Sequence, residues 1–175
     1  MRKPRVATVW LGGCSGCHMS LLDMDERLLD LASSIDLVFS PLMDVKAFPE
    51  DVDVTLVEGA IANEDHVETI RRVRARTQTL VALGDCAVTG NVTALRNPLG
   101  GAAPVLSLVY GTAFDRPDAS HIVPRLLDRV LMLRALVRVD LYLPGCPPSA
   151  DAIHHALTAL AAGRAPDLRD RATLG

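Results

Sequence analysis

Five short runs rich in valine, isoleucine and leucine recur along this chain of 175 residues: Arg5–Leu11, Ile35–Phe39, Val52–Val57, Thr79–Leu83 and Val139–Leu143. Each stops near a glycine, a proline or a polar residue. None alternates cleanly between apolar and polar positions, which is the pattern of parallel strands buried on both faces. Aromatic residues make up only 3% of the chain, so the core between such strands must be built from leucine, valine, isoleucine and alanine.

Helical patterns separate the runs. Between His18 and Leu31, apolar residues at Met19, Leu21, Leu22, Met24, Leu28, Leu29 and Leu31 trace a broad helical face. Asn63 is a candidate cap for a helix that starts with Glu64, Asp65 and Glu68 and ends with Arg71, Arg72, Arg74 and Arg76. That polarity complements the helix dipole, and Glu68 to Arg72 is the favoured i,i+4 order. The arginine cluster thus has a structural explanation. Arg125–Val137 reads as another helix after Pro124, and Ser149 opens a last one that runs to about Gly163. The stretch Gly100–Asp118 fits either a short helix or an extra strand. Strand–helix alternation of this kind predicts an α/β fold, an open parallel sheet with helices on both faces. With five strands, a flavodoxin-like order is expected. A single domain should span residues 1–163, with 164–175 as a C-terminal tail.

A net charge of −3, with no basic block and few aromatics for base stacking, argues against nucleic acid as a ligand. No apolar stretch reaches the roughly 18 uninterrupted residues of a membrane span. The opening MRKPRVATVWL runs straight into a strand pattern, without an export signal. A cytoplasmic location with no membrane association is expected. In that compartment four cysteines point to metal or redox chemistry rather than to structural disulfides.

The cysteines fall in a revealing way. Cys14 and Cys17 follow the first run, Cys86 comes three residues after the fourth, and Cys146 three after the fifth. In an open α/β sheet the carboxyl ends of the strands share one edge, where ligands bind. Four thiols from distant parts of the sequence are therefore expected to converge. A thioredoxin-like pair would explain Cys14 and Cys17 but gives Cys86 and Cys146 no role. Structural zinc usually takes two close pairs on a small knuckle, whereas two of these cysteines stand alone. A [4Fe–4S] cluster takes four thiolates and needs room and backbone donors. Gly12, Gly13, Gly16, Gly84 and Gly145 flank the cysteines, and Pro147 and Pro148 stiffen the loop behind Cys146. Together these features favour the cluster.

The motifs CSGC at Cys14–Cys17, GDC at Gly84–Cys86 and GCPP at Gly145–Pro148 resemble the small subunit of [NiFe] hydrogenases, specifically the short type of NAD-reducing bidirectional enzymes. Longer blocks share the likeness: CSGCHMSLLDMDE, SPLMDVKAFPEDVDVTLVEGAI, GDCAVTGNVTALRN and VDLYLPGCPPSADAI. The resemblance implies that Cys14, Cys17, Cys86 and Cys146 ligate the proximal [4Fe–4S] cluster, the one nearest the nickel–iron centre. It places that centre in a partner large subunit and a flavin in partner diaphorase subunits, so no catalytic residue is expected in this chain. Longer hydrogenase small subunits hold two more clusters, but here no cysteine is spare. Asn91 stands where relatives often have glycine.

The homologous iron–sulfur subunit of the respiratory complex I quinone reductase is the alternative; it has adjacent cysteines where this chain has CSGC. A flavodoxin-like FMN module would need a first loop rich in serine and threonine, and this loop reads GGCSGC. Glu58 ends the third run in LVEGAI, so its carboxylate falls at the same edge. Its plain role is a loop carboxylate meeting water or a helix N-terminus. The family likeness adds a proton relay or an occasional iron ligand. His18, beside Cys17, reads as a helix-start histidine in preference to a contact with the cluster or the partner.

Overall fold

The computed structural model describes residues 2–111, 123–169 and 171–174. Its first half runs β1 (Arg5–Trp10), α1 (Gly16–Leu22), α2 (Arg27–Ser34), β2 (Asp36–Phe39), β3 (Val52–Glu58), β4 (Ile61–Asn63) and α3 (Glu64–Ala75). The second half runs β5 (Thr77–Leu83), α4 (Asp85–Thr89), α5 (Ala102–Tyr110), β6 (Leu126–Leu131), β7 (Leu141–Leu143) and α6 (Ala150–Ala161). The five expected strands form one sheet in the order β2-β1-β3-β5-β7, and every neighbouring pair is parallel. Numbered among themselves they run 2-1-3-4-5, the flavodoxin-like order, with the chain reversing direction between β1 and β3.

Both faces of the sheet are covered, as its unbroken apolar runs require. On one face Val54, Leu56, Val81, Leu83 and Leu143 pack against Met24, Leu31 of α2, and Ile153, Ala156 and Leu157 of α6. On the other, Val9, Val57, Leu80 and Ala82 meet Ile70 and Val73 of α3 and Ala87 of α4. Leu168 and Ala172, from the stretch read as a tail, pack against the first of these layers. Among the described residues no helix is long and apolar enough to cross a membrane.

The caps behave as their chemistry demands. The Asn63 side chain accepts from the His66 N–H at 2.9 Å, and Ser149 Oγ accepts from the Ala152 N–H at 3.2 Å. The Glu68–Arg72 ion pair forms on the exposed face of α3.

Two expectations change and one open reading resolves. The face from His18 to Leu31 belongs to two helices, not one. Asp25 takes a left-handed conformation (φ 49°) and Met24, 1% exposed, is driven into the core at the break. Aspartates on both sides of Met24 favour this turn by competing with the helix for backbone partners. The helix expected over Arg125–Val137 is instead strand β6 followed by a 3-10 turn at Leu133–Ala135. Its apolar spacing fits a helix, but tertiary pairing overrides that preference. Strand β6 pairs antiparallel with β4, and the Asn97 side chain both accepts from the Val130 N–H (2.8 Å) and donates to its carbonyl (3.0 Å), as a neighbouring strand would. Within the ambiguous stretch Gly100–Asp118, residues Ala102–Tyr110 form α5, and 112–118 lie outside the described residues. Asn91 has φ 36°, a left-handed conformation that asparagine tolerates better than most side chains.

Candidate metal centre

All four cysteines leave the carboxyl ends of parallel strands. Cys14 and Cys17 lie at the turn from β1 into α1, Cys86 in the first turn of α4 after β5, and Cys146 three residues past β7. Cys17 and Cys86 are buried, while Cys14 and Cys146 are exposed.

The loops are packed against one another. A Cβ built on Gly84 would sit 2.2 Å from the Cys17 sulfur, so the loop that leads to Cys86 needs glycine to let that thiol in. Gly84 also has φ 80°, a conformation costly for any other residue. A Cβ on Gly16 would lie 3.3 Å from the Cys14 sulfur and 3.9 Å from Pro147, which sets the first loop against the Cys146 loop. Ser20 of α1 donates to the Pro148 carbonyl at 2.5 Å, a buried bond between the same two loops. The Gly145 N–H donates to Asp85 Oδ1 at 2.7 Å, and the Asp85 N–H donates to the Gly145 carbonyl at 2.9 Å.

Glu58 is the last residue of β3 and is 2% exposed. Its carboxylate faces the start of α1. Oε2 accepts from the His18 N–H at 3.0 Å, Oε1 accepts more weakly from the Cys17 N–H at 3.4 Å, and Oε2 is also hydrogen-bonded to Nδ1 of the His18 ring. The carboxylate thus satisfies N–H groups that α1 cannot satisfy internally. His18 is equally buried and lies against Trp10 with ring centroids 5.0 Å apart. Its Nε2 has no hydrogen-bond partner among the described residues.

This crowding governs the charge of the thiols. Burial pushes the Cys17 thiol well above its usual range, and Glu58, Cys86, Cys14 and Cys146 each push it further by their negative charge. Burial also raises Cys86; hydrogen bonding with Thr93 opposes this, and Cys146 and Cys14 add to it. Two desolvated thiols, Cys17 and Cys86, become thiolates readily only beside a cation. Among the described residues no three His, Cys, Asp or Glu side chains gather closely enough for a single metal ion. A lone zinc with bonds of about 2.3 Å would need thiolates about 3.8 Å apart. Four thiols carried on three loops, with Gly84 and Gly16 leaving room at the Cys17 and Cys14 sulfurs, are a donor set that fits a [4Fe–4S] cluster.

Sequence reasoning found the cysteines, Gly84 and Glu58, and placed His18 at the helix start, but missed three supporting roles. Asp85 and Ser20 brace the Cys146 loop, and the His18 ring joins Glu58. The available signals were an acid placed immediately before Cys86 and a lone serine on the apolar side of α1.

A family model described as NADH ubiquinone oxidoreductase, 20 Kd subunit, matches residues 14–160, a span that holds all four cysteines. The chain belongs to this family. Within it, 172 residues are 38% identical to the NAD-reducing hydrogenase HoxS subunit delta of Cupriavidus necator, covering 95% of this chain and 82% of that protein. A vhu subunit of the F420-non-reducing hydrogenase of Methanococcus voltae is 38% identical over 171 residues, covering 95% of this chain and 59% of the longer relative. Among solved structures, a chain of an NAD+-reducing [NiFe]-hydrogenase in the H2-reduced state superposes with a TM-score of 0.89 at 40% identity, covering 98% of both chains. These relatives are hydrogenase subunits although the family model takes its description from NADH ubiquinone oxidoreductase, and the superposed hydrogenase chain shares the α/β fold.

Proposed function

We propose that this chain is the electron-transfer small subunit of a cytoplasmic [NiFe] hydrogenase linked to NAD, holding the proximal [4Fe–4S] cluster on Cys14, Cys17, Cys86 and Cys146. The observation that carries this reading is the convergence of the cysteine loops from three strand ends: the Cys17 sulfur lies against Gly84 of the Cys86 loop, and Gly16 lies between the Cys14 sulfur and Pro147 of the Cys146 loop. With four cysteines in the sequence, one such cluster uses all of them. When bound, the cluster supplies one-electron redox chemistry.

The chain's own residues do the holding. Gly84 leaves space for the Cys17 sulfur, Asp85 and Ser20 fix the Cys146 loop, and Glu58 anchors the start of α1. Glu58 is hydrogen-bonded through Oε2 to the His18 ring beside Cys17, which suits Glu58 to a proton-handling role or to reaching an iron. Trp10, Met19 and Leu22 are exposed apolar side chains on the strand and helix that flank Cys14 and Cys17. They supply a contact surface for the large subunit that carries the nickel–iron centre. H2 chemistry belongs to that partner, and flavin and NAD chemistry to diaphorase subunits that take the electrons.

The test is the metal content of anaerobically purified or reconstituted protein. About four irons per chain are expected, with a brown colour and a paramagnetic reduced state. Stoichiometric zinc without iron uptake would refute the assignment.

A further inference from the structure

Strands β5 and β7 pair over only three residues, from Val81 opposite Leu141 to Leu83 opposite Leu143. Beyond that point the two chains part to form the Cys86 and Cys146 loops. The ladder takes one more backbone step, the Gly84 N–H to the Leu143 carbonyl at 2.8 Å. Then a side chain takes over. Asp85 donates its own N–H to the Gly145 carbonyl, while its Oδ1 accepts the Gly145 N–H at 2.7 Å. The two residues exchange both bonds, and each immediately precedes a cysteine.

Asp85 is 3% exposed, and burying a carboxylate is costly unless polar partners hold it. Gly145, at φ 134°, has no side chain to fix its conformation, and a Cβ there would meet Pro148 Cα at 2.6 Å. The loop is therefore confined to glycine at the position where glycine's backbone freedom works against a fixed thiol. A bond that pins both polar groups of Gly145 removes that freedom. The opposite end of the same pairing uses the same arrangement. There Asp140 Oδ2 accepts the Leu80 N–H at 2.9 Å, and the Asp140 N–H donates to the Leu80 carbonyl at 2.9 Å. A short parallel pairing is thus closed at each end by an aspartate, and the upper one sits beside two of the four thiols.

We infer that Asp85 is a positioning residue for the thiol site: by locking Gly145 it sets Cys86 and Cys146 at a fixed separation before any metal binds. The inference rests on the four-cysteine reading above. It concerns the bond from the Gly145 N–H to Asp85 Oδ1, which an asparagine Oδ1 can also accept and an alanine cannot.

The experiment compares the parent protein with Asp85→Ala and Asp85→Asn, each purified anaerobically with any subunit that accompanies it. Iron release to a chelator is followed together with the electron paramagnetic resonance spectrum of the reduced protein. Asp85→Ala should lose iron about tenfold faster, in keeping with one buried donor left unpaired, and its spectrum should shift. Asp85→Asn should match the parent in both. Parent-like iron retention and spectrum in Asp85→Ala would overturn the inference, as would an Asp85→Asn protein as defective as the alanine variant. If the alanine variant does not fold, amide exchange at Gly145 decides. Slow exchange in metal-free parent and Asp85→Asn protein supports the lock, and fast exchange in the parent overturns it. A parent that binds no iron refutes the cluster reading alone, since the exchange measurement still tests the lock.

Discussion

The carboxylate of Glu58 and the imidazole of His18 are hydrogen-bonded to each other inside the protein, each 2% exposed, and the same carboxylate accepts the His18 N–H. One side chain from the end of β3 therefore fixes both the backbone and the ring of the residue that follows Cys17. Its plain role at a helix start and its proximity to the thiols are two aspects of one position.

Removing that acceptor has a predictable cost. Glu58→Ala leaves the buried His18 N–H and ring unpaired and should lower unfolding free energy by about 2–3 kcal/mol. Glu58→Gln keeps one acceptor oxygen and should lose roughly half as much, retaining its iron while the spectrum of the oxidised protein or its turnover changes. Urea unfolding of the metal-free proteins, paired with an iron assay, checks both variants. An unchanged urea midpoint in Glu58→Ala would show that the carboxylate does not anchor α1.

Gly84 offers a sharper test of geometry. Any Cβ there would fall 2.2 Å from the Cys17 sulfur, and the backbone stands at φ 80°. Gly84→Ala must displace the thiol or the loop. It should reduce iron per chain to less than half and cost about 2 kcal/mol or more in stability, from backbone strain together with overpacking. Gly163→Ala is the control. It also has a positive φ, 67°, but a Cβ there meets nothing within 4 Å, so it should be destabilised by strain and keep its iron. Equal iron loss in both variants would rule out the contact with Cys17 as the cause.

The central sheet was legible in the sequence because strands buried on both faces must be apolar throughout. The cysteines were legible because topology alone carries the ends of parallel strands to one edge. What the sequence hid depends on distant partners. The Leu126–Leu131 segment has helical spacing, and only β4 and the Asn97 side chain make it a strand. Asp85 lies 60 residues from the Gly145 it holds, and Ser20 lies 128 from Pro148. The local signals, an acid before Cys86 and a serine on α1, do not identify the distant partner of either residue.

Asp140 gives a pH dependence whose sign can be worked out. Burial pushes its carboxyl up, but the Leu80 N–H, the Arg74 guanidinium and Arg138 outweigh this and hold it below its ordinary value of 3.8. A carboxyl lowered in the folded state contributes stability above its unfolded pKa of about 3.9. That contribution disappears as pH falls through the folded value. Asp140→Asn should therefore be less stable than the parent at pH 7 by about 1–2 kcal/mol. The gap should close below about pH 4, where the parent carboxyl also becomes protonated. Thermal unfolding across pH 2–8 measures it, and a gap independent of pH would mean that the charge contributes nothing.

The last prediction separates the duties of the proposed subunits. Cleaving H2 requires the nickel–iron centre and a base in the large subunit, and neither step requires electrons to leave. Reducing NAD does require it, and the proposed four-cysteine cluster would be a single relay that uses every cysteine of the sequence. In Cys86→Ser a hard oxygen replaces a soft thiolate at a buried position proposed as an iron ligand, which should weaken iron binding. Exchange between D2 and protons should survive in that variant, while H2-driven NAD reduction falls to a small fraction of the parent rate. Assembly has to be established first. Asp85 and Thr93 both lie next to Cys86, so a disturbed loop could detach the partner instead of interrupting electron flow. The decisive sample is an assembled, nickel-loaded complex shown by iron assay and spectroscopy to lack the cluster. Parent-rate NAD reduction by that sample would exclude the four-cysteine site as the obligatory electron path. Loss of both activities in a complex that still holds its nickel would mean instead that the site also supports H2 cleavage.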